Sequence, residues 1–298
     1  MRLTVTQMDL TTPADAPTPP VSVDDQPELV IRARRGWSPV DWRELLSHRE
    51  LLFFLIWRDV KVKYKQAFLG FAWAILVPLI QVLLFTGIGK AAGFDRHFAG
   101  PYILYVYAGL LPWLFLSGSI TNGGLSLMNQ QNLLSKIYMP RLLIPASTIG
   151  TALVDFAISA AVFATLMLAL GFVPASTIAV LPLLILLSIV LALGIAFMLS
   201  ALTINYRDVR FLIPFLAQVL MWVSAAVYPP RIFDRYPQYM ILLDFNPLYG
   251  VICAFRSAIL GEPWHWRALW ISVGFALVMF VWGMYYFKKA ERRFADIA

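Results

Sequence analysis

Four cations stand close together just before a long uncharged run in the stretch IWRDVKVKYKQAFLGFAWAIL, residues 56–76: Arg58, Lys61, Lys63 and Lys65. Cations clustered beside an apolar segment attract anionic headgroups at a membrane surface, and the same electrostatics can select a phosphorylated lipid. The alternative is ordinary anchoring, in which long basic side chains extend from an apolar surface toward water. Both interpretations are compatible with the residue pattern.

The residues around these cations have the periodicity of an amphipathic helix. One face collects apolar and aromatic side chains at steps of three and four: Phe53, Ile56, Trp57, Val60 and Tyr64. Arg58, Lys61 and Lys65 share a second face, and Lys63 lies on neither. The alternation in KVKYK also fits a strand, but a strand leaves the preceding apolar LLFFLIW unexplained. We therefore expect an amphipathic helix over residues 41–66 at the inner membrane surface.

No pattern in the sequence predicts catalysis or a metal site. The phosphate-binding signature G-x-x-x-x-G-K-[ST] does not occur, so the chain should neither hydrolyse ATP nor bind a cofactor of its own. Its three histidines, His48, His97 and His265, lie far apart, and Cys253 is its only cysteine. A metal cluster and an intrachain disulfide are therefore not expected.

The composition is typical of a membrane protein. Of the 298 residues, 60% are hydrophobic and 14% are charged, whereas soluble proteins are about 45–50% apolar and about 25% charged. A net charge of +7 would suggest nucleic acid as a partner of a soluble chain. In a membrane protein it reflects loops that face the cytoplasm and anionic lipid, so no nucleic acid is expected. Residues 1–40 are rich in Pro, Asp and Thr and predict a disordered cytoplasmic segment.

Six apolar runs approach the roughly 20 residues that cross a bilayer. They are Phe68–Gly89, Tyr102–Ile120, Leu143–Leu170, Ala179–Ala201, Phe211–Tyr228 and Ala268–Phe287. With the N-terminus inside, the inner flanks carry fourteen Lys and Arg residues and the outer loops carry six. This bias predicts that both termini, including the tail 291–298, are cytoplasmic. We expect an all-α membrane protein with six transmembrane helices within residues 67–290.

One outer segment, residues 229–267, is apolar but interrupted by prolines. Its piece PLYGVICAFRSAIL is too short to cross a bilayer and is typical of a re-entrant helix before the last span. We expect an outer gate here, with these residues: Pro229, Arg231, Asp234, Arg235, Asp244 and Arg256. The acids Asp234, Asp244 and Glu262 are candidates to pair with the three arginines and hold the gate closed.

Three further charged residues are candidates for specific roles. The stretch YRDVRFLIP, residues 206–214, places Arg207 and Arg210 before a span, as WRDVKVKYK does, so both are added to the headgroup-contacting set. Asp155 is the one acid well inside a span. Such residues face the protein interior or a wet cavity, and an interhelical hydrogen bond is favoured over a transport role.

Four stretches, in order, resemble the polysaccharide-export permeases among the type-2 ABC transporters. They are WRDVKVKYKQAFLGFAWAILVPL, GLLPWLFLSGSITNGGLSLMNQQNLLSKIYMPRLLIP, LTINYRDVRFLIPFLAQVLMWVSAAVYP and FNPLYGVICAFRSAILG, within residues 41–290. The resemblance implies a homodimer of six-span subunits in the bacterial inner membrane. It also implies two separate ATPase subunits that bind ATP and Mg. Such complexes move lipid-linked O-antigen, teichoic acid or capsule polysaccharide outward, and O-antigen is the preferred interpretation. The family often has Arg where this chain has Lys63.

The resemblance assigns roles to two further sets of residues. In the inner loop 121–142, a coupling helix would offer side chains to the ATPase: Leu127, Leu133, Leu134, Lys136, Ile137 and Tyr138. A sugar path needs rings that stack on apolar sugar faces, and the aromatic residues of the spans are candidates: Trp73, Phe85, Tyr102, Tyr105, Tyr107, Trp113, Phe115, Trp222 and Tyr228. Trp and Tyr also favour membrane interfaces without any path.

Two other classes of protein compete with this interpretation. A membrane-bound lipid-phosphate transferase would need a cluster of acids near the inner surface, where the loops offer only Asp59 and Asp208, each beside an arginine. An exporter of drugs or other small molecules would need neither the basic entry helix nor a wide polar path.

Overall fold

The computed structural model describes residues 47–65, 70–98, 100–131, 139–233 and 237–294. Within these ranges the chain forms nine α-helices: α1 Arg49–Lys65, α2 Ala72–Ala91, α3 Tyr102–Asn129, α4 Leu143–Ala169, α5 Leu181–Asn205, α6 Val209–Val223, α7 Pro237–Asp244, α8 Pro247–Leu260 and α9 Trp266–Phe294. Three short 3₁₀ turns, Phe94–His97, Ser176–Val180 and Pro230–Phe233, complete the described elements. These elements confirm the predicted all-α fold. The predicted disordered segment 1–40 lies outside the described residues.

Five of these helices are long and apolar enough to cross a membrane. They are Ala72–Ala91, Tyr102–Asn129, Leu143–Ala169, Ser176–Asn205 and Trp266–Glu291. The remaining predicted span, Phe211–Tyr228, corresponds to α6, which has 15 residues and ends at Val223. At about 1.5 Å per residue α6 is roughly 22 Å long, less than the roughly 30 Å hydrocarbon core. Six spans therefore stay a prediction.

Helix α3 forms the centre of the bundle. In its membrane-length window 78% of the residues are buried, against 22–28% for the other four helices. It packs against α2, α4, α5, α6 and α8. Its sequence is rich in small residues and contains an internal Pro112, yet it continues as one helix to Asn129. Neighbouring helices can satisfy the carbonyl that a proline frees inside such a bundle.

Helices α5 and α9 pack together through a close approach of their backbones. A Cβ added to Gly194 of α5 would lie 2.6 Å from backbone atoms of Met279 and Phe280 in α9. A Cβ on Gly283 would overlap the carbonyl of Gly194. Two facing glycines thus let two membrane-length helices touch, which is how small residues promote helix packing in lipid.

Helix α1 confirms the predicted helix, but its apolar side chains point in two directions. Leu55 is buried and Ile56 contacts Gly150 of α4. Phe53 and Trp57, which were expected to share one apolar face with Ile56, are exposed. Leu51, Leu52 and Leu55 contact the protein core. Contact of the exposed rings with the membrane surface stays a prediction.

Two short helices lie between α6 and α9, as predicted for the segment 229–267. Helix α8 begins where the Asn246 side chain accepts a hydrogen bond from the Leu248 backbone N–H at 3.0 Å, with Pro247 at its first position. It ends at Gly261, whose φ of 75° closes the helix. The α8 residues from Leu248 to Ile259 are all buried. A short helix buried on every side is thus built into the protein and not laid on its surface.

Candidate functional site

A cleft of about 370 Å³ lies where α1, α2, α3 and α4 meet. Its walls are mainly apolar: Trp73, Ala74, Val77, Pro78, Leu111, Leu114, Phe115, Ala152 and Phe156. Its polar lining comes from Lys63, Tyr64, Asn122, Asp155 and Ser159. Apolar walls with a few convergent polar groups are typical of a small-molecule site. Here they suit a molecule with an apolar body and a charged end.

Asp155 forms the interhelical hydrogen bonds that its position in a span predicted. Its carboxylate accepts from Lys63 Nζ at 2.5 Å and from the Tyr64 hydroxyl. Both donors belong to the end of α1, and Asp155 lies in α4, so these hydrogen bonds connect α1 to α4. Burial and the Asp155 hydrogen bond raise the pKa of Tyr64 above its ordinary value. The phenol therefore remains a protonated donor at neutral pH.

The cations of α1 divide into two groups. Arg58 donates to the Asp59 carboxylate at 2.7 and 2.9 Å and to Gln130 Oε1 at 3.0 Å, which links α1 to the end of α3. Lys61 and Lys65 are exposed, and the Lys61 ammonium lies 5.0 Å from the ring centroid of Trp57. Arg58 thus has protein partners already, whereas Lys61 and Lys65 present their charge at the surface.

Arg207 and Arg210 lie at the turn between α5 and α6. Both are exposed, and the Arg210 guanidinium stacks 4.5 Å from the ring centroid of Phe211. An exposed cation over an aromatic ring gains about 0.5–1 kcal/mol and keeps its outer face available to an anion. Headgroup contact by these two residues stays a prediction.

The nine predicted path aromatics occupy two different environments. Five belong to the core of the single chain: Tyr102, Tyr105, Tyr107, Trp113 and Phe115. Their rings contact protein; for example, the Tyr107 hydroxyl donates to the Ser159 carbonyl at 3.1 Å. Trp73 and Trp222 are exposed, and Phe85 and Tyr228 are half-buried. The hydropathy pattern could not separate these environments, because both use the same residue types.

Most of the predicted coupling residues, Leu133 to Tyr138, lie outside the described residues. Leu127 is described and is fully buried in α3. It packs in a cluster with Leu55, Ile144 and Phe287, so its side chain holds α3 in the bundle and cannot reach another subunit. The prediction that Leu127 contacts an ATPase is corrected on that ground.

The predicted outer gate residues form one of the expected ion pairs. Arg231 Nη2 lies 2.9 Å from Glu262 Oε2. Arg256 was expected to pair with an acid but is buried, and it donates instead to the carbonyls of Ala225 and Ala226. Pro229 is buried and Asp244 is half-buried, while Asp234 and Arg235 lie outside the described residues. The pairing of Arg256 is therefore corrected, because its guanidinium donates to backbone carbonyls after the end of α6 and not to a carboxylate.

Comparison with known proteins identifies the family. The ABC-2 type transporter family matches residues 50–260, which is more than two thirds of the chain.

The chain belongs to the ABC-2 type transporter family. It is similar to the O-antigen export system permease protein RfbA of Myxococcus xanthus, with 27% identity over 72% of this chain and 82% of the relative. A protein of the same name from Klebsiella pneumoniae is 24% identical over 83% of this chain and 95% of the relative. The polysialic acid transport protein KpsM of Escherichia coli is 27% identical over 69% of this chain and 80% of the relative.

The site lies inside the region that defines an ABC-2 type permease. The matched residues begin in α1 and end at the last residue of α8, so they contain the cleft, the cations of α1 and the Arg231 turn. Helix α9 lies beyond the match. An ABC-2 type permease is a multi-pass membrane component of a transporter, and the five membrane-length helices of this chain agree with that class.

Sequence reasoning missed how Lys63, Tyr64 and Asp155 combine. Lys63 was predicted to contact a headgroup with the other cations, and it was noted to lie outside the face shared by Arg58, Lys61 and Lys65. That misfit was the available signal, because a cation displaced from the solvent face of a helix tends to have a protein partner. Its partner lies 92 residues away along the chain, and no local pattern connects the two.

Proposed function

We propose that the chain is the permease subunit of an ATP-driven exporter that moves lipid-linked O-antigen polysaccharide outward across the bacterial inner membrane. The observation that supports this most is that two relatives named for O-antigen export align over 82% and 95% of their length. The similarity to a polysialic acid transport protein favours capsule polysaccharide as a second candidate cargo. Teichoic acid export would use the same architecture.

The energy source would be a separate subunit. Because the chain has no phosphate-binding signature, we infer that two copies of an ABC ATPase bind ATP and Mg and act on this permease. The contact would lie in the part of the predicted inner loop 121–142 that follows α3, on the same side of the membrane as both termini. Movement of that loop would reach the cleft through α3, since Arg58 and Gln130 already link α1 to the end of α3.

A second copy of the chain would complete the path. Helices α2 and α6 leave large apolar side chains exposed in the single chain: Ile80, Leu83, Ile88, Phe211, Phe215 and Trp222. The two helices are neighbours, because Phe85 of α2 and Trp222 of α6 are in edge-to-face contact at 6.1 Å. Two copies that meet along these faces would bring Trp73 and Trp222 of both to one route, where aromatic faces can stack on sugars.

The cationic helix would receive the lipid phosphate. Lys61 and Lys65 attract it at the surface, and Lys63 lies at the polar side of the cleft. An ion pair between partly exposed groups such as Lys63 and Asp155 contributes only about 0–1 kcal/mol. A phosphate with more than one negative charge can therefore compete with Asp155 for Lys63. The apolar walls of the cleft would accept the start of the lipid chain.

The export assay uses a strain that lacks the chain and is complemented with variants. Loss of the chain should leave lipid-linked polysaccharide in the inner leaflet, and the unaltered chain should restore surface polysaccharide. The double variant Lys61→Gln/Lys65→Gln should restore much less at equal membrane abundance, because two exposed cations of α1 are lost.

The matched control is Lys90→Gln/Arg96→Gln, which removes one exposed cation in the last turn of α2 and one just after it, and should restore export fully. If deletion leaves surface polysaccharide unchanged, the proposed cargo is wrong. If both double variants fail equally, the specific role of α1 is wrong.

A further inference from the structure

A second cavity, of about 200 Å³, lies beside α8 and next to the first turn of α3. The cleft described above lies along the later part of α3, so the two cavities are separate. We call this cavity the α8 pocket and define it by its polar lining residues: Arg231, Cys253, Arg256, Ser257, Glu262 and His265. Most of it is formed by α8 itself and by the connection from α8 to α9.

Arg256 is a buried cation whose hydrogen bonds are incomplete. Its side chain is 2% exposed. Nη1 donates to the Ala225 carbonyl at 2.9 Å, Nη2 donates to the Ala226 carbonyl at 2.7 Å, and the guanidinium stacks 4.2 Å from the ring centroid of Tyr105. Nε is buried and has no acceptor among the described residues. A buried donor without a partner is unfavourable, and more so when it is charged.

The charge of Arg256 is also uncompensated within the pocket. Arg231 and Glu262 form an ion pair at 2.9 Å and neutralise each other. Arg256 meets carbonyl dipoles and an aromatic face, and none of the ion pairs in the described ranges includes it. Counted over Arg231, Arg256 and Glu262, the described lining of the pocket therefore carries one net formal positive charge. A buried charge in a membrane protein is expensive and is retained where it has a function.

We propose that the α8 pocket binds an anionic oxygen group, a carboxylate or a phosphate monoester, which the positive charge of Arg256 attracts. The volume admits such a group together with several waters, since one water needs only about 10–15 Å³ of such space. His265 adds a polar ring to the lining, whereas the Ser257 hydroxyl already donates to the carbonyls of Cys253 and Pro263 at 2.9 and 3.0 Å. The source is either an acidic sugar or a phosphorylated one. Binding is a property of this chain itself and does not depend on the cargo that the complex exports.

The test titrates the full chain in nanodiscs of uncharged lipid, with any subunit that copurifies. Three ligands with the same sugar ring are compared by calorimetry: glucuronate, glucose 1-phosphate and glucose. Cys253 lines the pocket and is the only cysteine of the chain, so its rate of modification by N-ethylmaleimide reports this pocket specifically. Glucuronate or glucose 1-phosphate should bind and slow the modification, and whichever binds more tightly identifies the source. Glucose should do neither.

Charge variants of Arg231 and Glu262, which line the α8 pocket, make the test independent of Arg256, whose replacement can impair folding. Glu262→Gln removes a negative charge and should tighten anion binding about fivefold, whereas Arg231→Gln should weaken it about fivefold. Glu291→Gln makes the same change as Glu262→Gln in the Lys288–Glu291 pair at 2.9 Å in α9, and should leave affinity unchanged.

Absence of saturable anion binding would overturn the proposal and leave a water-filled cavity. Equal binding of glucose and glucuronate would overturn it as well, because the charge would then contribute nothing. The proposal also fails if Glu262→Gln and Glu291→Gln change affinity equally, since the anion would then respond to overall charge and not to this pocket.

Discussion

Replacing Asp155 by Asn tests whether the end of α1 exchanges a protein carboxylate for a lipid phosphate. The substitution removes the partner of Lys63 but keeps an amide oxygen that can accept from Tyr64. The side chains of Lys63 and Asp155 are 48% and 34% exposed, so solvent screens their attraction. The pair should therefore contribute only about 0.5–1 kcal/mol to stability, as exposed ion pairs do.

The same magnitude predicts the functional result. Without the Asp155 carboxylate, a phosphate can bind Lys63 without first displacing it. The loss of an ion pair of about 1 kcal/mol corresponds to about a fivefold lower half-saturating lipid concentration. The assay is ATP turnover of the reconstituted complex as a function of a phosphorylated isoprenoid lipid. Asp155→Asn should shift that curve to lower lipid concentration, and Lys63→Gln should shift it to higher concentration.

Asp95→Asn provides the matched control, because it removes one exposed carboxylate after α2 and should not move the curve. The exchange would be refuted if Asp155→Asn weakened lipid stimulation as Lys63→Gln does, since the acid would then orient Lys63 for the lipid. Equal shifts with Asp155→Asn and Asp95→Asn would refute it too, because overall charge would then explain both.

Three further predictions concern stability. Tyr64→Phe should cost about 1 kcal/mol by removing the hydrogen bond to Asp155. Because the pKa of Tyr64 is raised in the folded protein, this difference should be constant between neutral pH and about pH 10, the ordinary tyrosine pKa, and disappear only above it, as denaturation in detergent at several pH values would show. Gly283→Leu should abolish folded protein on size-exclusion chromatography by separating α9 from Gly194, whereas Gly274→Leu, in open space on α9, should not. Arg256→Met should lower the denaturation midpoint even though it removes a buried charge, because the carbonyls of Ala225 and Ala226 lose their donor.

The boundaries of the helices show where hydropathy succeeds. The predicted span Leu143–Leu170 was found as Leu143–Ala169, because both ends coincide with a change in apolar content. The predicted span Tyr102–Ile120 continues to Asn129. Its last turns contain Gly123, Gly124 and Ser126, which are buried against other helices. Hydropathy treats such small and polar residues as loop formers, whereas close packing makes them suitable for a helix interface.

The site shows where local patterns fail. Five of the nine aromatic residues predicted to line a path lie in α3 and belong to the core of the single chain, although Phe115 also lines the cleft. Ring type alone does not determine which way a helix face points, and the path itself stays a prediction. Arg256 was assigned to an ion pair because acids stand near it in sequence. The carbonyls at the end of α6 were not visible as acceptors, since any residue type can supply a backbone carbonyl.

The amino-acid sequence by itself determined the class of this protein: an all-α membrane chain, a cationic helix before the first span and a short helix before the last. These features follow from apolar run lengths and charge positions, which act through the bilayer and need no tertiary contact. Tertiary structure decided which charges meet. Lys63 reaches Asp155 across 92 residues, and Arg256 reaches the end of α6 across about 30, because helices distant in sequence pack side by side and bring one residue of each within hydrogen-bonding distance.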